Sequence, residues 1–428
     1  MTLLSRVPRR LIQLACFVGA VVLVWPWLPW TAAPRFFQQV SPFVALSSSI
    51  AKRSIGVGAV LALVVIVVSS FKKRWFCLYL CPTGFLLENT SRIGLRKTRW
   101  WGKLPPVGRY VAILTLAGAV AGYPVLLWMD PLCIFSSPFA LNKATSAMSV
   151  FLVCLGLGVL VGATFVFGMA WCVRICPLSG LQDMLFAMRK ALWSRSTASA
   201  PSRKFADAKL VKISGASAPE VRSIASMRKP SGIARRAFFA GAGGALLALW
   251  ARRSGAARYR KSDTLLRPPG AVPEDRFAGL CIRCNNCVHA CPTKIIRPDM
   301  GHEAGLAGFG APVISYARDY KYCLETCNDC TQVCPTGALT PLALEQKNKY
   351  IIGEALADNN VCLTALGQKE CDACEVACPY DAVKITWDEA QYIAYPVVND
   401  KCIGCGACEV VCPTNPVKAI RVWTLKPA

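Results

Sequence analysis

The stretch Cys281-Ile-Arg-Cys284-Asn-Asn-Cys287-Val-His-Ala-Cys291-Pro292 decides the character of the C-terminal part of this chain. Three cysteines two residues apart, a fourth three residues on, and then proline is the ligand spacing of bacterial [4Fe–4S] clusters. Working outward, the pattern returns three times. It reads Cys323-x3-Cys327-x2-Cys330-x3-Cys334-Pro335, then Cys362-x8-Cys371-x2-Cys374-x3-Cys378-Pro379, then Cys402-x2-Cys405-x2-Cys408-x3-Cys412-Pro413. Each iron of a cubane needs one thiolate, so three close cysteines curl a loop around one cluster. The fourth commonly ligates the neighbouring cluster of a pair. Proline fixes the backbone and removes a donor where the chain leaves. Zinc sites show separated Cys-x2-Cys pairs instead. Sixteen cysteines in four motifs therefore predict four [4Fe–4S] clusters. Spacing leaves their pairing open: first with second and third with fourth, or first with fourth and second with third.

The chain has 428 residues and 23 cysteines, but only two histidines, His289 and His302. With no Cys-x-x-Cys-His and no histidine before residue 289, histidine-ligated haem is excluded. His289, inside the first motif, reads as a surface or supporting residue. Cys16, Cys133 and Cys154 read as core packing.

Charge divides the chain. From residue 262 onward there are 15 Lys/Arg and 19 Asp/Glu; before it there are 34 and 5. The acidic part offers no basic stripe to phosphates, so nucleic acid is not an expected partner. The basic part holds four apolar runs, approximately Leu11–Trp30, Ile55–Phe71, Tyr110–Trp128 and Met148–Trp171. Their length and flanking Lys/Arg predict a four-helix membrane unit with its N-terminus in the cytoplasm. Two Cys-x3-Cys-Pro motifs, Cys77/Cys81 and Cys172/Cys176, repeat at the ends of two hairpins. Cysteines four apart share a helix face. If the hairpins pair, four thiols converge on one further metal or cluster.

The expected domains are a four-helix membrane domain over 1–193, a basic linker over 194–230, a twin-arginine signal-like anchor over 231–261 and a polyferredoxin domain over 262–428. The fold class is a membrane α-helical unit plus an α+β domain with short strands around the clusters. Ala234-Arg-Arg-Ala-Phe-Phe before a Gly/Ala-rich run is similar to a twin-arginine export signal. That reading puts the polyferredoxin domain outside the bacterial inner membrane, in the periplasm. A hydrocarbon core of about 30 Å would then separate it from the Cys-x3-Cys-Pro site.

The first half resembles the NapH/MauN membrane ferredoxin-type proteins, on its four apolar runs and paired Cys-x3-Cys-Pro motifs. The second half resembles the NapG/MauM ferredoxin-type proteins, on its twin arginines and four cluster motifs. The resemblance implies electron transfer from the quinol pool to a periplasmic redox enzyme or cytochrome, in a nitrate-reductase or methylamine system. The alternative is an assembly or maturation factor that supplies electrons for cofactor insertion in a partner. Glu88 and Asp183, just past the Cys-Pro motifs, are candidate proton acceptors from a quinol.

Overall fold

The computed structural model describes residues 6–25, 33–54, 56, 58–94, 105–140, 147–198, 231–253, 265–316, 321–389 and 392–424. From residue 199 onward the expected linker lies outside them, as does 254–264. The described cysteines are all free thiols.

The N-terminal part is helical. Its elements are α1 (Arg6–Val24), α2 (Ala33–Gln39), α3 (Pro42–Lys52), α4 (Gly58–Phe71), α5 (Trp75–Tyr79) and α6 (Pro82–Ile93). After them come α7 (Val107–Val120), α8 (Pro131–Ser136), α9 (Ala147–Phe167) and α10 (Pro177–Ala198). The two cysteine repeats exchange helices: α4 packs on α10, and α9 packs on α6. Each helix entering a motif thus rests on the helix leaving the other. Phe43, Leu127, Leu132, Phe135 and Leu178 are buried at the centre. Each such side chain contributes about 1.5–3 kcal/mol through burial.

The expected membrane unit is overturned. Among the described residues no helix is long and apolar enough to cross a membrane. The multi-pass location inferred from those spans falls with it. For the second and third runs the physical reason is where the helices stop. The second and third runs fold as α4 and α7, of 14 residues each. At 1.5 Å per residue such a helix rises about 21 Å, short of a core of about 30 Å. The first run gives a 19-residue helix that spends its opening turns on Arg6, Arg9 and Arg10. The fourth was expected to reach Trp171, but α9 ends at Phe167, where Gly168 turns the chain at a φ of 66°.

The twin-arginine segment folds as α11 (Ser231–Arg253) and lies along α7. The approach is close, because a Cβ on Gly244 would strike the backbone of Leu114.

The C-terminal part is built from loops, short helices and three two-stranded antiparallel sheets. In the first, β1 (Ile296–Pro298) pairs with β2 (Pro312–Ile314). In the second, β3 (Glu354–Ala357) pairs with β6 (Ile420–Trp423), joining the middle of the domain to its end. In the third, β4 (Val383–Asp388) pairs with β5 (Ile393–Val398). This matches the expected short strands around cysteine motifs. A core of Phe277, Leu280, Val288, Ile296, Val333, Leu339, Ala355 and Ile420 runs through the layer.

The two parts are packed together. Ile282 and Cys284 of the first motif are buried in one core with Leu132, Cys133 and Phe135. Asn286 Nδ2 donates to Gln38 Oε1 at 3.1 Å, and Gln38 Nε2 donates to Ser136 Oγ at 2.9 Å. Arg35 Nη1 donates to the Gln332 carbonyl at 2.8 Å. The separation of about 30 Å expected across a hydrocarbon core is absent, because buried side chains join the parts directly.

Candidate iron–sulfur centres

The four motifs fold as two interlocked pairs. Cys281, Cys284 and Cys287 stand within electrostatic reach of Cys334, the last cysteine of the second motif. This is the first quartet. Cys323, Cys327 and Cys330 line a cavity of about 350 Å³ with Cys291, the last cysteine of the first motif. This is the second quartet. Cys402, Cys405 and Cys408 line a cavity of about 290 Å³ with Cys378, the last cysteine of the third motif; they form the third quartet. Cys362, Cys371 and Cys374 line one of about 350 Å³ with Cys412, the last cysteine of the fourth; they form the fourth quartet. The pairing left open by spacing is therefore first with second and third with fourth.

Local folding explains the exchange. In the first motif Cys281, Cys284 and Cys287 wrap a loop through α12 (Glu274–Leu280) and α13 (Asn286–Ala290). Arg283 and Asn285 sit at positive φ (58° and 60°), which tightens that loop. After α13 the chain extends at Cys291 (φ −66°, ψ 115°), and Pro292 prevents the helix from continuing. Cys291 is thereby carried out of its own loop toward the next. The fourth motif repeats this: Gly406 at a φ of 84° starts the short helix Ala407–Val411, and Cys412 leaves it extended.

The thiols of the quartets are buried or half-buried and crowd one another. Burial pushes the thiols of Cys284, Cys287, Cys330 and Cys408 up, and neighbouring thiolates add to it. Cys374 rises to about 11 and Cys405 to about 12, mainly through burial. Thiols held this high stay protonated alone, so metal loading must displace protons. Cys412 is the exception. Burial pushes it up, but hydrogen bonds from Thr414 and the Ile420 and Ala419 amides bring it below the ordinary thiol value. Among the described residues no three of His, Cys, Asp and Glu could hold a single metal ion. The thiols line cavities instead of meeting at a point, which fits a polynuclear cluster better than zinc.

The quartets follow one another in space. The second touches the third where the Cys323 amide donates to the Cys405 carbonyl at 3.0 Å. Tyr316, buried beside both cysteines, donates its hydroxyl to the Gly404 carbonyl at 2.7 Å. The third touches the fourth where Cys408 faces Cys374. The spatial order is first, second, third, fourth.

The Cys-x3-Cys-Pro cysteines also come together. Cys77 is within electrostatic reach of Cys81, Cys172 and Cys176, and Gln182 Nε2 donates to its sulfur at 3.1 Å. They do not share a helix face as expected. Cys77 lies in α5, whereas Cys81 begins α6, accepting from the Gly84 amide at 3.4 Å. Cys172 lies in a π-helical turn, Trp171–Ile175, and Cys176 precedes α10. Pro82 and Pro177 impose both breaks by starting new helices. Asp130 and Cys133 lie between this quartet and the first. Asp130 acts on Cys81, Cys176 and Cys133, and Cys133 faces Cys281 and Cys284. Burial raises the Asp130 carboxyl to about 6, against hydrogen bonds from Ser41 and the Leu132 amide.

Glu88 and Asp183 are not free proton acceptors. Arg9 and Arg92 flank Glu88. Arg74 bonds Asp183 at 2.5 Å, with Arg109 at 3.4 Å. Despite burial, the Gln13 hydrogen bond together with Arg9 and Arg92 holds Glu88 below its usual value, and Arg74 and Arg109 do the same for Asp183. His289 is half-buried, and burial lowers its pKa. Sequence reasoning missed Lys347, Tyr316 and Asn286; their only signal is proximity in space.

The chain matches the 4Fe–4S dicluster domain family over residues 280–338 and 369–416. It matches a second family, described as a 4Fe–4S binding domain, over residues 55–100 and 149–196. It is 36% identical over 146 residues to the methylamine utilization ferredoxin-type protein MauM of Methylorubrum extorquens, covering 32% of this chain and 64% of that protein. With MauM of Methylobacillus flagellatus it shares 37% over 152 residues, 34% of this chain and 63% of the relative. The ferredoxin-type protein NapG of Escherichia coli is 35% identical over 121 residues, 28% of this chain and 50% of the relative. In each case the chain spans less than two thirds of the relative's length. No solved structure matches. These likenesses support the NapG/MauM part of the expected resemblance and give no support to a NapH/MauN half. The chain thus carries segments of two 4Fe–4S families and is similar, over about a third of its length, to the ferredoxin-type proteins MauM and NapG.

Proposed function

We propose that the sixteen cysteines of the four interlocked quartets each ligate iron, holding four [4Fe–4S] clusters that pass single electrons to a redox enzyme. The continuous spatial order of the quartets carries this reading, because the fourth cysteines tie the two sites of each pair and the Cys323–Cys405 backbone hydrogen bond ties one pair to the other. The clusters would supply one-electron chemistry. The protein would supply thiolates, backbone amides such as that of Leu339, which donates to Cys334 Sγ at 3.3 Å, and exclusion of water. Cys77, Cys81, Cys172 and Cys176 form a fifth candidate site, next to the first quartet across Asp130 and Cys133. Electrons entering there would meet the first quartet and leave from the fourth, whose cysteines are the more exposed. A quinol is the donor class that the resemblance implies, and the MauM relatives' names point to methylamine oxidation as a context.

The test is anaerobic purification of the full chain, with iron and sulfide analysis and electron paramagnetic resonance during reductive titration. Four clusters require about sixteen irons per chain, and the fifth site about four more. Cys77→Ser with Cys172→Ser separates the two totals. Iron content near zero, or one unaffected by substituting motif cysteines, would sink the reading.

A further inference from the structure

An unassigned opening lies where the helical part meets the Cys334–Gly337 loop. It is a cavity of about 620 Å³, part of it open to solvent, bordered by α2, α3 and the start of α4. Arg35 and Lys52 line it, and among the described residues no aspartate or glutamate does. Gln39 lines it too and is only 7% exposed. Its Nε2 donates to the Pro335 carbonyl at 3.1 Å, which settles which end of the amide is oxygen. Oε1 is then left buried with no hydrogen-bond partner. The Arg35 Nε is likewise buried and unpartnered. A buried acceptor left unpaired is destabilising. Two glycines keep the space clear. A Cβ on Gly58 would overlap the Gln39 amide, and one on Gly337 would overlap Lys52.

The pocket therefore presents two cationic donors without a counter-charge and one buried acceptor without a donor. A carboxylate satisfies only the first requirement, and a neutral alcohol only the second. We propose that this pocket binds a small oxyanion that still carries a proton, with hydrogenphosphate the simplest example. Its charged oxygens face Lys52 and Arg35, and its hydroxyl donates to Gln39 Oε1. Sulfate matches the charge but carries no proton at neutral pH. The bound anion joins α2 and α3 to the loop that follows Cys334, so it clamps the helical part onto the first quartet.

Equilibrium dialysis of the full, iron-loaded chain against labelled inorganic phosphate, and separately sulfate, tests this. One saturable phosphate site is expected, with at least tenfold preference over sulfate. Lys52→Met should weaken phosphate at least tenfold, and Gln39→Leu should abolish the preference for phosphate. Saturating phosphate should also raise the melting temperature of the wild type but not of Lys52→Met. Lys52 makes no ion pair among the described residues, so its variant decides the matter even if Gln39→Leu fails to fold; unchanged iron content confirms its integrity. Absence of a saturable site, equal affinity for the two anions, or undiminished binding in Lys52→Met would overturn the proposal.

Discussion

Lys347 is a fully buried lysine with no acidic partner among the described residues. Its ammonium donates to the Leu324 carbonyl at 2.5 Å and to Asn348 Oδ1 at 3.3 Å. It also stands against the Cys323 sulfur: burial pushes that thiol up, and Lys347 pulls it back. A cation buried here is matched to the negative charge of a thiolate-bound centre. Replacing it in Lys347→Met keeps the volume and removes the charge. An electron added to the second cluster lies roughly 6 Å away, so at an effective dielectric of about 20 the attraction is about 3 kcal/mol. With a tenfold change worth 59 mV for one electron, that is roughly 120 mV. The sign follows from charge, since the cation favours the reduced form and its loss lowers the midpoint. Redox titration followed by electron paramagnetic resonance should show one of four midpoints falling by about 100 mV. The others should move much less. An unchanged midpoint, a rise, or an equal fall at every cluster would refute the reasoning.

Three further outcomes follow from the same geometry. Cys334→Ala should remove the signal of the cluster held by Cys281, Cys284 and Cys287, and Cys291→Ala that of the cluster held by Cys323, Cys327 and Cys330; resonance spectra of the two variants would expose the reverse assignment. Asp183→Asn should cost about 3–5 kcal/mol near neutral pH, because Arg74 loses its buried partner. The Asp183 pKa is lowered below its ordinary 3.8, so this stability is present above that value and is lost as pH falls through the folded pKa; denaturant curves of the two proteins should converge in acid. Gly406→Ala should destabilise the chain by about 1–3 kcal/mol, because a Cβ at this positive-φ residue would overlap the Tyr316 ring; thermal unfolding measures it, and an unchanged midpoint would show that the ring yields freely.

The cluster chemistry was legible because cysteine spacing is local: three ligands within seven to thirteen residues specify one loop. The exchange of Cys291 with Cys334, and of Cys378 with Cys412, was not legible, since it depends on how far β1–β2 and β3–β6 bring distant loops together. The membrane reading failed for a related reason. Run length counts apolar residues, but helix length is set by where each helix stops, as at Phe71 and Val120, and by the basic turns before Leu11. In α4, Ala62 and Val65 face the core while Leu63, Val64 and Val67 face outward, so the sequence reads as uniformly apolar although the helix is short. The Cys-x3-Cys-Pro motifs were recognised, yet the proline that marks them also breaks the helix they were expected to share. Charged partners such as Arg74 for Asp183, 109 residues away, leave no trace in a linear pattern.

The interlocked pairs carry a consequence for biosynthesis. The first site cannot acquire its full ligand set until the ribosome has released residue 334, although its other three ligands emerge by residue 287. Completion of the first two sites then falls in one narrow window, before any of the third motif has emerged. The last two close only with Cys412, near the C-terminus. Iron delivery would proceed in two bursts, and a chain truncated before Cys412 would carry a finished first half and two open, oxygen-sensitive loops.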